Sequence, residues 1–377
     1  MDKLTDVTVV GGGVVGCFIA YRLALEGVAV TLVEREHVGA GASGASAGNV
    51  QPGEFEPIVG AERLNPLEVE SLALHRRFLP AVRAESGVDP LDHEVQYFYA
   101  ALNDHEVMRT QQFTATLQGV GLRAEWIDGV AARTLEPRLS PRLLGGTLHQ
   151  DCVQMDARRF VEALAKAAEK RGVALQQGEA VGLRREGARV TGIRLKDGST
   201  LGCGMLILAM GAWTGLAVAQ WLGLSLPIAP YSLQKLHVRP SGPALACAIR
   251  WDGANIVSRL DGLVHVGSKH EHTGFEARPS EDGKRWLLER LQTILPELDA
   301  AVVEAKAGLA ATLPGRSPIL GPVQGLEGVY LAVPGSNGFL LSAVLAHLLT
   351  ELLVYGRWHP FLPMILPERV LQSAVAR

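Results

Sequence analysis

The sequence is poor in cysteine and has no surplus of charge of either sign. Its 377 residues include four cysteines, none of them in a C-x-x-C pair, which argues against a disulfide-stapled fold and against a cysteine-based metal site. All four stand in apolar or mixed surroundings, so we predict buried thiols in a reducing compartment. The formal net charge of −3 gives no reason to expect a nucleic acid or an anionic membrane as a partner.

The sequence also lacks a segment typical of a secretory leader or of a membrane span. Asp2, Lys3 and Asp6 precede the first apolar run, which argues against a signal peptide. Residues 201–234 carry no charge, but glycines and prolines interrupt them, as in buried strands and turns. We therefore expect a cytoplasmic protein without a transmembrane segment.

Glycine is abundant, with 42 residues, and one cluster of glycines lies between a strand-like and a helix-like segment. Residues 7–10 form a short apolar run, Gly11–Gly16 reads Gly-Gly-Gly-Val-Val-Gly, and residues 17–25 have the apolar spacing of a helix. Residues 28–33 form a second apolar run, and Glu34 ends it. This order of strand, G-x-G-x-x-G, helix, strand and acid is typical of a βαβ unit that binds a dinucleotide.

The residues of this motif have separate roles in such a unit. Gly11 permits the tight turn, Gly13 lets the backbone approach a pyrophosphate, and Gly16 allows the helix to pack closely on the strand. The helix N-terminus offers N–H donors and a partial positive charge to phosphates. Glu34 is placed to accept hydrogen bonds from an adenosine ribose, and its charge disfavours a 2′-phosphate. An ordinary glycine-rich βαβ turn without a ligand is the alternative.

The rest of the chain changes character along its length. Apolar spacing predicts helices over residues 66–80, 156–171, 279–298 and 339–355, and buried strands over residues 205–209 and 329–333. Residues 231–275 alternate between apolar and polar, with turn signals between them, which is typical of an antiparallel sheet. We predict an α/β plus antiparallel β protein of two interleaved domains. The Rossmann-like dinucleotide domain takes residues 1–80, 150–228 and 305–377, and the inserted, discontinuous antiparallel-sheet domain takes residues 81–149 and 229–304.

Further short segments follow the glycine motif in a characteristic order. They are Ala42-Ser-Gly-Ala-Ser-Ala-Gly-Asn49, Gln154-Met-Asp156, Ala209-Met-Gly-Ala-Trp213, Gly267-Ser-Lys-His-Glu271, Pro318-Ile-Leu-Gly-Pro322 and Gly335–Phe339. In this order and spacing, the chain resembles the D-amino-acid oxidase superfamily of flavoenzymes over nearly its whole length. That superfamily includes D-amino-acid dehydrogenases, glycine oxidase, sarcosine oxidase and the flavin subunits of opine and proline dehydrogenases.

The resemblance implies that the dinucleotide is FAD and that the antiparallel-sheet domain binds the substrate. The FAD would be non-covalent, because no cysteine falls in residues 308–318, where some relatives attach the flavin. If the N-terminus of the last helix faces the flavin pyrimidine, its partial positive charge would stabilise the anionic reduced ring. The expected FAD contacts are Gly11, Gly13, Val14, Val15, Gly16, Glu34, Arg35, Ala42, Ser43, Ser46, Ala47, Gly48, Asn49, Val181, Gly211, Trp213, Gly335, Ser336, Asn337, Gly338, Phe339 and Leu340.

The sequence departs from this resemblance at Ala310. Amino-acid-oxidising relatives commonly carry Gly-Leu-Arg-Pro at this point, and the arginine forks onto the substrate carboxylate, whereas this chain reads Gly308-Leu-Ala-Ala311. Either another cation replaces that arginine, or the substrate presents a group other than a simple α-carboxylate there. The candidate cations are Lys235, Arg259, Lys269 and Arg316.

Among these, Lys269 is the preferred candidate for a catalytic and substrate-binding role. His265 falls where sarcosine oxidases have a lysine that helps oxygen to react, which suggests a dehydrogenase with another electron acceptor. For both residues, an ordinary surface position on a strand is the alternative. The expected substrate contacts are Lys269, Arg259, Asn337 and Tyr99. His270 and His272 have i, i+2 spacing without further ligands, so we expect solvated side chains and no metal.

The resemblance implies an FAD-dependent enzyme that oxidises the C–N bond of an amino acid, an imino acid or an opine-like secondary amine. Hydride transfer to flavin N5 would give an imine, which water hydrolyses. Two alternatives remain open: an FAD-dependent 2-hydroxy-acid dehydrogenase, and the FAD-carrying subunit of a hetero-oligomeric dehydrogenase complex. The partners would then be a small substrate and either partner subunits or another electron acceptor.

Overall fold

The computed structural model describes residues 6–53, 66–314 and 317–373 of the chain. The α-helices are α1 (Val14–Leu25), α2 (Ala42–Ala45), α3 (Pro66–Ser86), α4 (Asp104–Gly119), α5 (Gly129–Leu135), α6 (Ala157–Lys170), α7 (Thr214–Ala217), α8 (Glu281–Ile294), α9 (Gly338–Tyr355) and α10 (Leu362–Ile365). The strands are β1 (Val7–Val10), β2 (Val30–Glu34), β3 (Asn49–Val50), β4 (His93–Ala101), β5 (Ala124–Asp128), β6 (Gly145–Gln154), β7 (Ala174–Gln177), β8 (Ala180–Glu186), β9 (Arg189–Leu195), β10 (Thr200–Gly202), β11 (Met205–Leu208), β12 (Leu224–Ser225), β13 (Ala229–Pro240), β14 (Ala248–Trp251), β15 (Ala254–Ser258), β16 (Val264–Glu271), β17 (Ala300–Thr312), β18 (Ile319–Pro322), β19 (Val329–Val333) and β20 (Gln372–Ser373).

A six-stranded sheet carries the glycine motif. Its strands run in the order β18-β19-β11-β1-β2-β7. All these pairs are parallel apart from β18 with β19. Its central strands are almost wholly buried, as expected where helices cover both faces of a parallel sheet. Helix α1 connects β1 to its neighbour β2, which is the predicted βαβ unit.

The second large sheet has nine strands and is mostly antiparallel. Its order is β17-β13-β16-β15-β14-β4-β6-β3, with β5 paired to β6. Strand β14 runs parallel to β4. The pairing of β13 with β16 shifts register between Gln234 and Lys235, so two residues of β16 face one of β13. This bulge decides which side chains of β16 face the candidate site.

Four helices, α1, α3, α6 and α9, form the core beside the parallel sheet. Phe18 of α1, Phe160 of α6 and Phe339 of α9 pack ring against ring, with centroids 5.5 to 6.2 Å apart. Among the helices of the described residues, α9 is the one that is long and apolar enough to cross a membrane. Of its 18 residues, 61% are buried inside the protein, against α1 and α3 among others.

The structure confirms the predicted α/β plus antiparallel β class and extends some elements. The helix predicted over residues 66–80 continues to Ser86, with Pro80 inside it. Leu79 and Val82 are both buried, so packing of the apolar face outweighs the local cost of the proline. Strand pairing crosses the predicted domain limits: β6 spans residue 150 and β17 spans residue 305, and both belong to the nine-stranded sheet.

Candidate active site

A cavity of about 500 Å³ lies where the carboxyl ends of the parallel strands face the nine-stranded sheet. Ligands of doubly wound α/β folds bind at this edge of the sheet. Residues after β1, β2, β11 and β19 form one side of the cavity, and residues of β13 to β17 form the other. We call the latter side the sheet floor; it includes Tyr231, Arg250, Asn255, Gly267 and Ala310.

The turn between β1 and α1 can form only because its glycines lack side chains. Gly11 has a φ of +115°, and a Cβ there would lie 2.4 Å from the carbonyl oxygen of Ala209. A Cβ on Gly16 would lie 1.9 Å from the carbonyl oxygen of Gly11. Gly13 differs, because its Cβ would meet only the Ser43 hydroxyl, at 3.1 Å. Gly11 and Gly16 therefore serve packing, and Gly13 keeps the cavity open.

The N-terminus of α1 points its backbone at the middle of the cavity. Its N-cap residue, Gly13, has no side chain to cap the helix, and Ser43 Oγ accepts a hydrogen bond from the Val14 N–H at 2.9 Å. Gly13, Val14, Val15, Ala42 and Ser43 all line the cavity. A helix N-terminus with partial positive charge and small neighbours suits a pyrophosphate.

Glu34 lies at one end of the cavity, on the last position of β2. Its carboxylate accepts hydrogen bonds from the Gly12 N–H at 2.7 Å and from the Glu36 N–H at 3.0 Å, which fix its orientation. Nearby, the Arg35 guanidinium lies over the Trp213 ring, 4.2 Å from its centroid. The carboxylate keeps further lone pairs for donors such as the hydroxyls of a ribose.

The loop before α9 lines the opposite end of the cavity. Gly335, Ser336, Asn337, Gly338 and Phe339 all line it. Asn337, the N-cap residue, has a left-handed φ of +52°. No side-chain oxygen caps this helix N-terminus, so its partial positive charge acts on whatever occupies that end.

His75 of α3 holds this loop from behind. Its Nε2 donates to the carbonyl oxygens of Phe339 and Leu340 at 3.1 and 2.9 Å, and the Ser71 hydroxyl donates to Leu340 as well. Burial lowers the pKa of His75 to about 4, although the two carbonyl partners favour its charged form. His75 is therefore neutral at pH 7.

We expect this buried histidine to make the protein sensitive to acid. The pKa of His75 is lower in the folded chain than in the unfolded one, so its contribution to stability is complete above pH 6.5 and is lost as the pH falls towards 4. Between pH 7 and pH 5, the free energy of unfolding should fall in both proteins, and it should fall by about 2 kcal/mol less in His75→Gln than in the wild type. Urea unfolding at both pH values measures this, and equal losses in both proteins would contradict it.

On the sheet floor, a row of neighbouring strands presents polar groups. Arg250 of β14 pairs in register with Tyr99 of β4 and with Asn255 of β15, and Asn255 pairs with Gly267 of β16. Asn255 is buried, and its Oδ1 has no hydrogen-bond partner within the described part of the chain. Sequence analysis missed Arg250 and Asn255. An arginine inside the apolar run Ala246–Trp251 was the available signal.

Tyr99 lies behind this row and does not line the cavity. It is fully buried, and its hydroxyl donates to the Gly53 carbonyl oxygen at 3.1 Å. Burial raises the pKa of Tyr99 well above its ordinary value, and a hydrogen bond with Arg250 offsets part of that rise. The structure thus places Tyr99 as a support for Arg250 rather than in contact with a ligand.

The structure does not bring Lys269 to the cavity. On β16, Gly267 pairs with Lys235 and Lys269 pairs with Gln234. Lys235 and Gln234 are adjacent on β13, so Ser268 is an extra residue on β16 and forms the bulge. A bulge reverses the alternation of side chains. Ser268 and His270 therefore line the cavity after Gly267, while the Lys269 ammonium lies 4.8 Å from the Trp286 ring centroid. His270 is exposed, as expected, and it also lines the cavity.

Two other expected cations also lie away from the cavity lining. The guanidinium of Arg259 is held by Asp156 at 2.5 Å and by Asp261 at 2.8 Å. Lys235 is buried, its ammonium lies 3.4 Å from the Ser46 carbonyl oxygen, and burial lowers its pKa to about 8. Arg316 lies outside the described residues. The charge of Arg259 is neutralised and that of Lys235 is covered, so neither reaches a ligand in this arrangement.

His265 lies one layer below the sheet floor. A Cβ on Gly267 would come within 2.9 Å of its Nε2, so the ring lies under that glycine. Burial lowers the pKa of His265 well below its ordinary value, and Lys235 and His237 add to this. Its ring is 1% exposed, with the His237 ring 5.7 Å away. It is a neutral, covered histidine without direct access to the cavity.

Most of the expected FAD contacts do converge on the cavity. Gly16, Gly48 and Leu340 are the exceptions, and all three act in packing. A Cβ on Gly48 would lie 2.0 Å from the Met155 carbonyl oxygen, and Leu340 is wholly buried in α9. The residues that line it are Gly11, Gly13, Val14, Val15, Glu34, Arg35, Ala42, Ser43, Ser46, Ala47, Asn49, Val181, Gly211, Trp213, Gly335, Ser336, Asn337, Gly338 and Phe339.

This lining suits FAD along its length. Glu34 supplies acceptors for a ribose, and the side-chain-free position at Gly13 leaves room for a pyrophosphate at the start of α1. The uncapped N-terminus of α9 suits the flavin end, where negative charge accumulates on reduction. A side chain at Gly13 would fill the space that the pyrophosphate needs.

Comparisons with known proteins agree with this reading. A model of the FAD dependent oxidoreductase family matches residues 6–352. A glycine oxidase of Pseudomonas aeruginosa is 30% identical over 370 residues, which cover 92% of this chain and 94% of that protein. The hydrogen cyanide synthase subunit HcnC of the same species is 25% identical, with 93% of each chain covered. The crystal structure of glycine oxidase from Geobacillus kaustophilus superposes with a TM-score of 0.88 at 27% identity, covering 95% of this chain and 97% of that one.

These matches span nearly the whole chain and confirm the expected superfamily. They also confirm FAD as the cofactor and an FAD-dependent enzyme of amine C–N oxidation as the class of protein. The chain belongs to the FAD dependent oxidoreductase family.

Proposed function

We propose that this enzyme oxidises the C–N bond of a small α-amino acid or of its N-substituted derivative. One observation carries the proposal: Asn255 lines the sheet floor, is 7% exposed, and has an Oδ1 without a hydrogen-bond partner in the described part of the chain. A buried acceptor without a donor costs free energy until a ligand supplies one. The N–H of an amine bound on the floor supplies that donor.

The neighbours of Asn255 fix which way its amide points. Its side chain hydrogen-bonds the hydroxyl of Tyr97, a fully buried residue of β4 whose pKa is raised by burial. An amide whose N–H₂ group is engaged with Tyr97 presents its oxygen on the other side.

FAD bound in this cavity would supply the hydride acceptor for the C–H bond next to the nitrogen. The chain holds the amine through Asn255, which orients that C–H bond. The uncapped N-terminus of α9 lines the same cavity and stabilises negative charge that builds up nearby. Within the described lining residues, the titratable side chains of the sheet floor are Tyr231, Arg250 and His270.

The relatives support this substrate class. The glycine oxidase of Pseudomonas aeruginosa is named for the smallest α-amino acid. HcnC is named as a subunit of hydrogen cyanide synthase, which supports the proposal that this enzyme also works with partner subunits. We also propose a cytoplasmic location, which the four free and buried cysteines support.

Anaerobic reduction of the bound flavin tests the proposal. The purified holoenzyme is mixed with glycine, N-methylglycine or proline, and separately with glycolate or lactate, and loss of the flavin absorbance is followed. We expect reduction by at least one amino acid and none by the 2-hydroxy acids. Reduction by 2-hydroxy acids alone would establish the hydroxy-acid dehydrogenase instead. In Asn255→Leu, the reduction rate constant should fall by about tenfold or more, since one hydrogen bond to the substrate is lost.

A further inference from the structure

Two strongly basic side chains line the cavity in the described part of the chain. They are Arg35 and Arg250. Arg35 lies at the Glu34 end, over the Trp213 ring. Arg250 lies on the sheet floor, beside Asn255. A negatively charged group on the floor would therefore find its guanidinium partner at Arg250.

Strand register brings Arg250 and Asn255 to the same face of the sheet. The two residues are directly opposite in the antiparallel pair of β14 and β15, and such partners point to the same side with Cβ atoms about 5 Å apart. An α-amino acid separates its carboxylate from its nitrogen by a single carbon atom. The spacing of Arg250 and Asn255 suits two polar groups that lie this close together.

A buried tyrosine supports the guanidinium of Arg250. Tyr99 is opposite Arg250 in the parallel pair of β4 and β14, and the two side chains are hydrogen-bonded. The Tyr99 hydroxyl is itself anchored, because it donates to the Gly53 carbonyl oxygen at 3.1 Å. A guanidinium presents its N–H donors in a planar fork, and the contact with Tyr99 helps to hold the plane of that fork.

We propose that Arg250 binds the carboxylate of the substrate while Asn255 accepts a hydrogen bond from its amine. This inference rests on the proposed function and assigns the residue that holds the carboxylate of that substrate. Planar pairing of a guanidinium with a carboxylate places both oxygens of the carboxylate, which fixes the orientation of the molecule on the floor.

The position of Arg250 also explains why residue 310 can be an alanine. Ala310 is on β17, and Arg250 is on β14, four strands away in the sheet. At the usual spacing between strands, the two strands are about 19 Å apart. Arg250 and Ala310 thus lie at opposite sides of the floor. A carboxylate held at Arg250 does not reach residue 310, so no arginine is needed there.

Three variants test this assignment in the holoenzyme. Arg250→Met should raise KM for the reactive amino acid about 100-fold, because a charged partner is lost in a covered site. Arg250→Lys should raise it about tenfold, since a lysine offers charge without the planar fork. Tyr99→Phe should raise it less than Arg250→Met does. The matched control is Arg239→Met, an exposed arginine of the same sheet, for which we expect no change in KM.

A simple primary amine without a carboxylate separates binding from structure. Its KM should be equal in the wild type and in Arg250→Met, and the FAD content should be unchanged. If KM for the amine rises as much as KM for the amino acid, Arg250 acts in structure only and the assignment is overturned. Equal KM values of wild type and Arg250→Met for the amino acid would overturn it as well.

A measurement on the wild type keeps the test independent of folding defects in the variants. Acetate and acetamide have nearly the same shape, and only acetate carries a charge. Perturbation of the flavin spectrum should give acetate a much lower Kd than acetamide, by about 100-fold. Equal Kd values would contradict the carboxylate site. If no amine reduces the wild-type flavin, the proposed function itself fails, whereas amino-acid turnover without selectivity for carboxylates defeats this inference alone.

Discussion

Gly16→Ala is expected to yield a protein that neither folds stably nor binds FAD. A Cβ at this position would lie 1.9 Å from the Gly11 carbonyl oxygen, and backbone atoms cannot move aside as a flexible side chain can. Helix α1 would have to shift away from β1, and its buried residues, including Phe18, would lose their packing. We expect the free energy of unfolding to fall by about 3 kcal/mol, at the upper end of the cost of overpacking.

Thermal unfolding followed by circular dichroism measures this effect, and the flavin absorbance of the purified protein reports FAD. Gly119→Ala is the matched control, because Gly119 ends helix α4 and a Cβ there would have no atom within 4 Å. The control should keep the Tm of the wild type. A stable Gly16→Ala protein with a full complement of FAD would show that the contact of α1 with β1 tolerates a side chain.

Gly13→Val is expected to keep the fold and to lose FAD. Gly13 has a φ of −77° and a ψ of 178°, an extended conformation in which valine is unstrained. A Cβ there meets only the Ser43 hydroxyl, a side chain that can rotate. The valine methyl groups would instead project into the cavity at the start of α1, where the pyrophosphate binds. We expect the Kd for FAD to rise about 100-fold or more, which corresponds to about 2.7 kcal/mol.

Titration of the apoprotein with FAD, followed by flavin fluorescence, gives this Kd. Circular dichroism of the same sample establishes that the variant is folded, and Gly13→Ala should show a smaller rise in Kd. Stoichiometric FAD in purified Gly13→Val would contradict the placement of the pyrophosphate. Together with Gly16→Ala, the experiment separates the glycine that packs the helix from the glycine that makes room for the ligand.

The dinucleotide end of the site was predictable because its determinants are local. Strand, turn and helix follow one another within residues 7–34, and Glu34 is carried to the glycine turn by the adjacent parallel strand β2. Glycine has a unique conformational range, so Gly11 at a φ of +115° leaves a direct mark in the sequence. Gly16, an expected contact that does not line the cavity, still acts in the same turn.

The substrate end was not predictable in the same way. Simple alternation along β16 places Gly267 and Lys269 on one face, yet the bulge at Ser268 turns Lys269 towards Trp286. Arg250 is the reverse case, an arginine in an apolar run whose importance depends on which strands become its neighbours. No pattern within residues 246–251 states that β4 and β15 will flank that strand.

The sequence alone determined the family, the cofactor and the dinucleotide half of the site, because contiguous residues with special backbone requirements encode them. It also marked Ala310 as a position where an arginine was to be expected and is absent. Only the tertiary structure decided which residues face the space above that alanine. Strand order places Arg250 four strands away, and a single bulge removes Lys269. Both depend on contacts between segments distant in the chain, and a one-residue change of register exchanges the two faces of a strand.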